Sequence, residues 1–299
     1  MVKGSIPAVS SHSQPRDRFL TANRLTHHVL EWADSGPVVL LLHGFLEHAH
    51  AWDFVAPHLA AAGLRPVALD WRGHGDSDWV GAGGYYHFAD YAADLAGIVR
   101  ELGGRAALVG HSMGANAALQ YAGIEPQRVT HLVCVDALGP PDMGDESAPR
   151  RFADWIVQLE RLAERGARRL TLDEAARRLA ERFPRFSPAA ARHMARHGTR
   201  PAGPVREWKF DPLHQTVSPL PYTTRRARAF WERVTCPVLY VDGAETPFRL
   251  SDTELADRLT ALRAARHTLP DTGHHPHLEC PETFADVLVA FLRREPCVA

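Results

Sequence analysis

Lysine is nearly missing from this 299-residue chain. Lys3 and Lys209 are the only two, and arginine carries the rest of the basic charge. The 34 basic residues face 35 acidic ones, and a formal net charge of -1 gives no general attraction to nucleic acid or an anionic membrane. Arginine tracts at 161–169 and 177–185 are interleaved with glutamate and read as solvated helical faces, with an anion-binding face as the alternative. Cysteine is also scarce. Cys134, Cys236, Cys280 and Cys297 show neither close metal-ligand spacing nor a dense disulfide pattern, and Cys134 and Cys236 fit packed thiols. No uninterrupted transmembrane run occurs, and MVKGSIPAVSSHSQPRDRF at the start has no sustained apolar segment of signal-peptide type. The expectation is a soluble cytoplasmic protein with no stable membrane insertion, no nucleic-acid partner and no cofactor; monomer and homodimer are both open.

A hydrophobic content of 45% over this length supports a substantial core, either one large α/β domain or a core with an inserted domain. Residues 1–17, rich in Ser and Pro, read as a flexible lead-in. Strands are expected at 19–22, 27–32, 38–42, 65–69, 106–109, 129–135, 237–241 and 267–269, with helices near 52–62, 86–102, 252–263 and 281–293 and another after residue 112. Alternating buried strands and helices specify a mostly parallel, eight-stranded sheet covered on both faces. The periodicity changes after Gly139-Pro140-Pro141. Residues 140–235 read as an inserted helical cap, with helices at 152–166, 171–183, 188–197 and 223–234 and a loop at 206–222, between core segments 18–139 and 236–299. Trp155, Trp208, Phe210 and Tyr222 are candidates to line a pocket under it, with core packing an equal claim.

The centre of the chain is Gly110-His111-Ser112-Met113-Gly114, where a buried strand meets an alanine-rich helix. Glycines flanking the serine allow an abrupt strand-to-helix turn that exposes its hydroxyl at the strand end, where ligands gather in such sheets. A serine needs a base to take its proton, and the base needs a carboxylate behind it. His274, after Gly273 in the loop following the last strand, is the first choice, with His275 and His277 as neighbours. Asp136, directly after the apolar LVCV run, is the preferred acid because an unpaired carboxylate there is costly; Glu245 and Asp242 are the alternatives. Backbone N–H groups of Met113 and Phe45, or Leu46 next to it, are placed to form an oxyanion hole. His43 and Gly44 set that backbone. The glycines of Asp70-Trp71-Arg72-Gly73-His74-Gly75-Asp76-Ser77 point to close backbone approach beside the nucleophile strand. His48 and His50 lack further ligands in the sequence, so no metal is expected.

Together, Gly-His-Ser-Met-Gly at 110–114, His43-Gly44-Phe45, the 70–77 loop and Gly273-His274 resemble the α/β-hydrolase fold family, from about residue 20 to 294. The resemblance implies a catalytic triad of Ser112, His274 and an acid, and a lid formed by the insertion. Placing the acid after the sixth core strand is similar to the serine-hydrolase-like group and some haloalkane dehalogenases. Many relatives carry Gly-x-x-Asp after the next strand; here Thr246 holds that aspartate position. Dehalogenases and epoxide hydrolases of this family use Asp as nucleophile, so Ser112 argues against those activities. The expected function is a carboxylesterase-like serine hydrolase that cleaves a small or medium-sized carboxylic ester through an acyl-enzyme, with an acyl substrate and water as its partners. Alternatives are thioester, amide or carbon-carbon bond cleavage, a peptidase acting on amino-terminal proline, and a non-catalytic small-ligand receptor.

Overall fold

The computed structural model describes residues 14–164 and 169–294. Its core is an eight-stranded sheet in the order β1-β2-β4-β3-β5-β6-β9-β10, formed by β1 (Arg16–Ala22), β2 (Leu25–Glu31), β3 (Val38–Leu42), β4 (Arg65–Leu69), β5 (Ala106–His111), β6 (Val129–Val135), β9 (Val238–Gly243) and β10 (Ala265–Leu269). β2 is antiparallel to both of its neighbours, β1 and β4, and every other pairing in the sheet is parallel. Successive side chains on a strand point to opposite faces, so a continuous apolar run is stable only where both faces are covered. Leu40, Leu42, Leu108, Leu132, Cys134, Val238 and Tyr240 pack on one face with α2 (Phe88–Glu101), α3 (Met113–Ile124) and α8 (Asp252–Leu262). Val39, Leu41, Val109, Val133, Val135, Leu239 and Val241 pack on the other with α1 (Ala56–Ala61) and α10 (Pro281–Leu292).

The strand edges differ from expectation in instructive ways. β1 starts at Arg16, inside the segment read as a loose lead-in, because Arg16 and Arg18 reach across to the Glu31 carboxylate at 2.7 and 3.1 Å. Residues 1–13 lie outside the described residues. The helix expected at 52–62 is a 3₁₀ turn (Ala49–Trp52) followed by α1, since Pro57 suits only the first turn of a helix. The 70–77 loop follows β4, which is not next to β5, the strand expected to carry the nucleophile: β3 lies between them. Its glycines make room for other groups. A Cβ on Gly75 would sit 2.1 Å from the Asp70 carboxylate, and one on Gly73 2.4 Å from His214 Nε2.

Between β6 and β9 the insertion forms α4 (Ala148–Ala163), α5 (Leu172–Arg182), α6 (Pro188–His197), β7 (Thr199–Ala202), β8 (Val205–Trp208) and α7 (Thr224–Trp231). β7 and β8 pair as a small antiparallel hairpin turning at Gly203, inside and next to the stretch expected to be a loop. Four-residue strands carrying Pro and Arg show no usable alternation. The insertion seats on the core through Phe186, Ala190, Ala191 and Met194, which pack with Ala51 and Leu278. α7 returns to the core, with Trp231 buried and Phe230 O where a Cβ on Gly123 of α3 would fall. Arg177 pairs with Glu181 one turn on at 2.6 Å, as expected of a solvated helical face, while part of the 161–169 tract lies outside the described residues. Among the described residues no helix is long and apolar enough to cross a membrane.

Candidate active site

β5 delivers Ser112 into a turn so tight that its φ is +51°, a left-handed conformation for a non-glycine residue. The flanking glycines are sterically required. A Cβ on Gly110 would lie 2.5 Å from the Ala115 nitrogen, and one on Gly114 2.4 Å from Leu42 O, where α3 begins against the end of β3. Leu46 (φ +63°) and Asp136 (φ +49°) share the unusual conformation at the same edge of the sheet. Such conformations cost on the order of 1–3 kcal/mol each; Asn23, Arg24, Arg263 and Asp271 carry a positive φ elsewhere in the chain.

Asp136 Oδ2 accepts from two donors: His274 Nδ1, in a short contact, and Thr246 Oγ1 at 2.5 Å. The side chain standing at the usual aspartate position thus binds the carboxylate that stands elsewhere. The alternatives do not reach His274. Asp242 is paired with Arg266 at 2.6 Å and accepts from Thr268 Oγ1 at 2.7 Å, and Glu245 is exposed. A carboxylate only accepts, so Nδ1 carries the proton and Nε2 is the basic nitrogen. Burial lowers the His274 pKa and Asp136 works against that; the net shift is downward. Among the described residues no hydrogen bond joins Ser112 Oγ to His274. The connection runs through the preceding residue, where His111 Nε2 donates to His274 O at 2.9 Å.

Phe45 follows Gly44 at the end of β3, and its N–H is engaged by no acceptor among the described residues. Met113 is the first residue of α3, where an N–H has no intrahelical partner. His43 and Gly44 fix this backbone: Trp71 N donates to His43 Nε2 at 3.1 Å, and Gly44 N donates to Glu47 Oε2 at 3.0 Å.

Sequence reasoning missed the polar layer underneath. Glu47, 7% exposed, has His111 Nδ1 at 3.1 Å and His275 Nε2 at 3.2 Å from Oε1, with His277 Nε2 3.7 Å from Oε2. His275 and His277 are therefore neither solvent-facing loop residues nor partners of Asp136. Burial drives their pKa values down to about 3 and about 4. Burial also opposes charge on His111 and Glu47. The pair overrides it, so His111 is raised and Glu47 lies well below the ordinary carboxylate range. Glu279 was missed as well: its carboxylate accepts from Gly273 N at 2.7 Å and His275 N at 3.1 Å, bracketing His274. Arg185 of the insertion holds Glu279 at 2.8 Å. No local sequence signal marks Glu47 or Glu279, because each acquires its role from partners brought up by folding. Among the described residues, Glu47–His111–His277, His111–His274–His275, His28–Asp70–Asp76 and His50–Asp53–His197 bring donor atoms within mutual metal-binding reach.

The alpha/beta hydrolase family profile matches residues 39–287. The chain belongs to this family. Among relatives of this alpha/beta hydrolase, the 2-(acetamidomethylene)succinate hydrolase of Mesorhizobium japonicum is 31% identical over 284 residues, covering 92% of this chain and 94% of that protein. In structure it is similar to a hypothetical protein of Pseudomonas aeruginosa PAO1 (TM-score 0.84, 30% identity, 94% of this chain and 100% of the other). It is also similar to the thioesterase domain from the curacin biosynthetic pathway (TM-score 0.83, 25% identity, 93% and 100%).

Proposed function

We propose that this alpha/beta hydrolase is a serine acyl hydrolase acting on a small or medium-sized carboxylic ester, with Ser112, His274 and Asp136 as its triad. The observation that carries this reading is the Asp136–His274 hydrogen bond, made by a histidine whose own carbonyl is held by the residue preceding Ser112. His274 Nε2 takes the Ser112 proton as Oγ bonds to the acyl carbon, and the N–H groups of Phe45 and Met113 receive the oxyanion. Collapse breaks the bond to the alcohol, which leaves with the proton from His274. Water then attacks the acyl-Ser112 carbon, giving its proton to His274. The second collapse frees the carboxylic acid and returns that proton to Ser112. In this reading residues 140–235 form the cap over the site, between core segments 18–139 and 236–299.

Cleavage of an amide or thioester uses the same steps. The names of the Mesorhizobium relative and the curacin thioesterase domain favour keeping that second reading. A panel of esters, thioesters and N-acyl amides assayed beside Ser112→Ala tests both. Loss of product release with Ser112→Ala supports an acyl hydrolase, and the preferred leaving group separates the two readings. Ligand binding without turnover, unchanged in Ser112→Ala, means a receptor on a hydrolase scaffold.

A further inference from the structure

A second group of ionisable side chains lies where the insertion meets the core. His193 and His197 are four residues apart on α6 and share one face of it. His50 and Asp53 come from the 3₁₀ turn after β3 and the residue that ends it. Folding joins them across nearly half the chain. His50 Nδ1 is 2.9 Å from Asp53 Oδ2, the His50 and His197 rings are 3.8 Å apart, and donor atoms of His50, Asp53 and His197 all lie within 4.8 Å of one another.

We propose that His50, Asp53 and His197 form a site for a borderline divalent transition-metal ion of the Zn2+ type. Two imidazoles and one carboxylate suit such an ion, whereas Mg2+ and Ca2+ prefer all-oxygen shells. Donors around tetrahedral Zn2+ are about 3.4 Å apart, given metal–ligand bonds of about 2.0–2.2 Å, so the cluster needs only small side-chain adjustments to close on the ion. The His197 ring lies against His50 with no side-chain hydrogen bond of its own among the described residues, and the His50 Nδ1–Asp53 Oδ2 hydrogen bond is the one the ion replaces. His193 supplies the outer support. Its Nε2 lies 3.2 Å from Asp53 Oδ2 and donates to His50 O at 3.0 Å, orienting the carboxylate and the turn together. His50, Asp53 and His197 are only partly buried, which leaves an entry path that the fully buried Glu47–His111–His277 group lacks. The sequence shows His50 without its partners because Asp53 is an ordinary turn residue and His197 is 147 positions away. The ion's ligands come from both sides of the junction, so it ties α6 to the turn that continues from the Phe45 loop. The site stands whether or not Ser112 is the nucleophile.

The test is calorimetric titration of the tag-free full chain with ZnCl2, with thermal denaturation in Zn2+ or Mg2+ alongside. The expected result is about one strong Zn2+ site per chain and a Tm raised by Zn2+ but not by Mg2+. Affinity should be weaker by about tenfold or more in His197→Gln and in His50→Gln. Co2+ should give visible ligand-field bands in the wild type that both variants lose. Far-UV circular dichroism establishes folding, and either variant suffices if the other does not fold. Absence of Zn2+ binding, or binding and Tm shifts unchanged in a folded variant, overturns the proposal.

Discussion

At the scale of the residue, the Asp136 carboxylate orients His274 by accepting from Nδ1, and Thr246 fills a second direction on the same oxygen. Asp136→Asn offers an amide that can hold the wrong imidazole tautomer, so kcat/KM should fall by about 10³–10⁴. Glu245→Gln, at an exposed position, should change it less than about twofold; steady-state ester hydrolysis reads both. Comparable losses in the two would remove Asp136 from its role. The pH profile follows from the same histidine. Its pKa is lowered by burial, and the proposed mechanism needs it neutral, so the acidic limb of kcat/KM should have its midpoint below the ordinary histidine value of 6.5. Activity falls as pH drops through that midpoint.

Among elements, the strand-to-helix turn is held by close packing. Ala at position 114 would put a methyl group 2.4 Å from Leu42 O, forcing α3 away from β3. We expect Gly114→Ala to lower unfolding free energy by about 1–3 kcal/mol in urea titrations and to reduce activity further than the stability loss alone, since Met113 N–H moves with the helix. This element was legible in the sequence because glycines bracket a serine between an apolar strand and an alanine-rich helix. The central strands were legible for a similar reason: runs such as VVLLL are stable only with both faces covered. The β7–β8 hairpin was not, since four residues give too few alternations and Arg and Pro obscure them. Glu47, His111 and Glu279 were hidden differently. Each looks like an ordinary polar residue until a distant segment arrives, and His111 stands between Gly110 and Ser112, where the Gly-x-Ser-x-Gly spacing sets no residue type.

Across the whole molecule, Glu47 ties the Phe45 loop, the end of β5 and the His274 loop through His111, His275 and His277. Removing its charge leaves His111 buried without its counter-ion, and Glu47→Gln should destabilise the fold by about 3 kcal/mol. The Glu47 pKa is depressed, so its contribution is present above the ordinary 4.5 and is lost as pH falls through the folded value. His111 is raised, so its contribution is complete below 6.5 and is lost as pH rises through its folded value. Thermal denaturation should therefore show the largest gap between wild type and Glu47→Gln between pH 4.5 and 6.5. A gap independent of pH would mean that the pair is held by packing alone. Whether Ser112 carries the acyl group is read most directly by rapid acid quenching of an ester reaction followed by peptide mass spectrometry. The expected result is an acyl adduct on Ser112 that appears before steady-state product and is absent in Ser112→Ala; an adduct on another residue, or full turnover by Ser112→Ala, would rule Ser112 out.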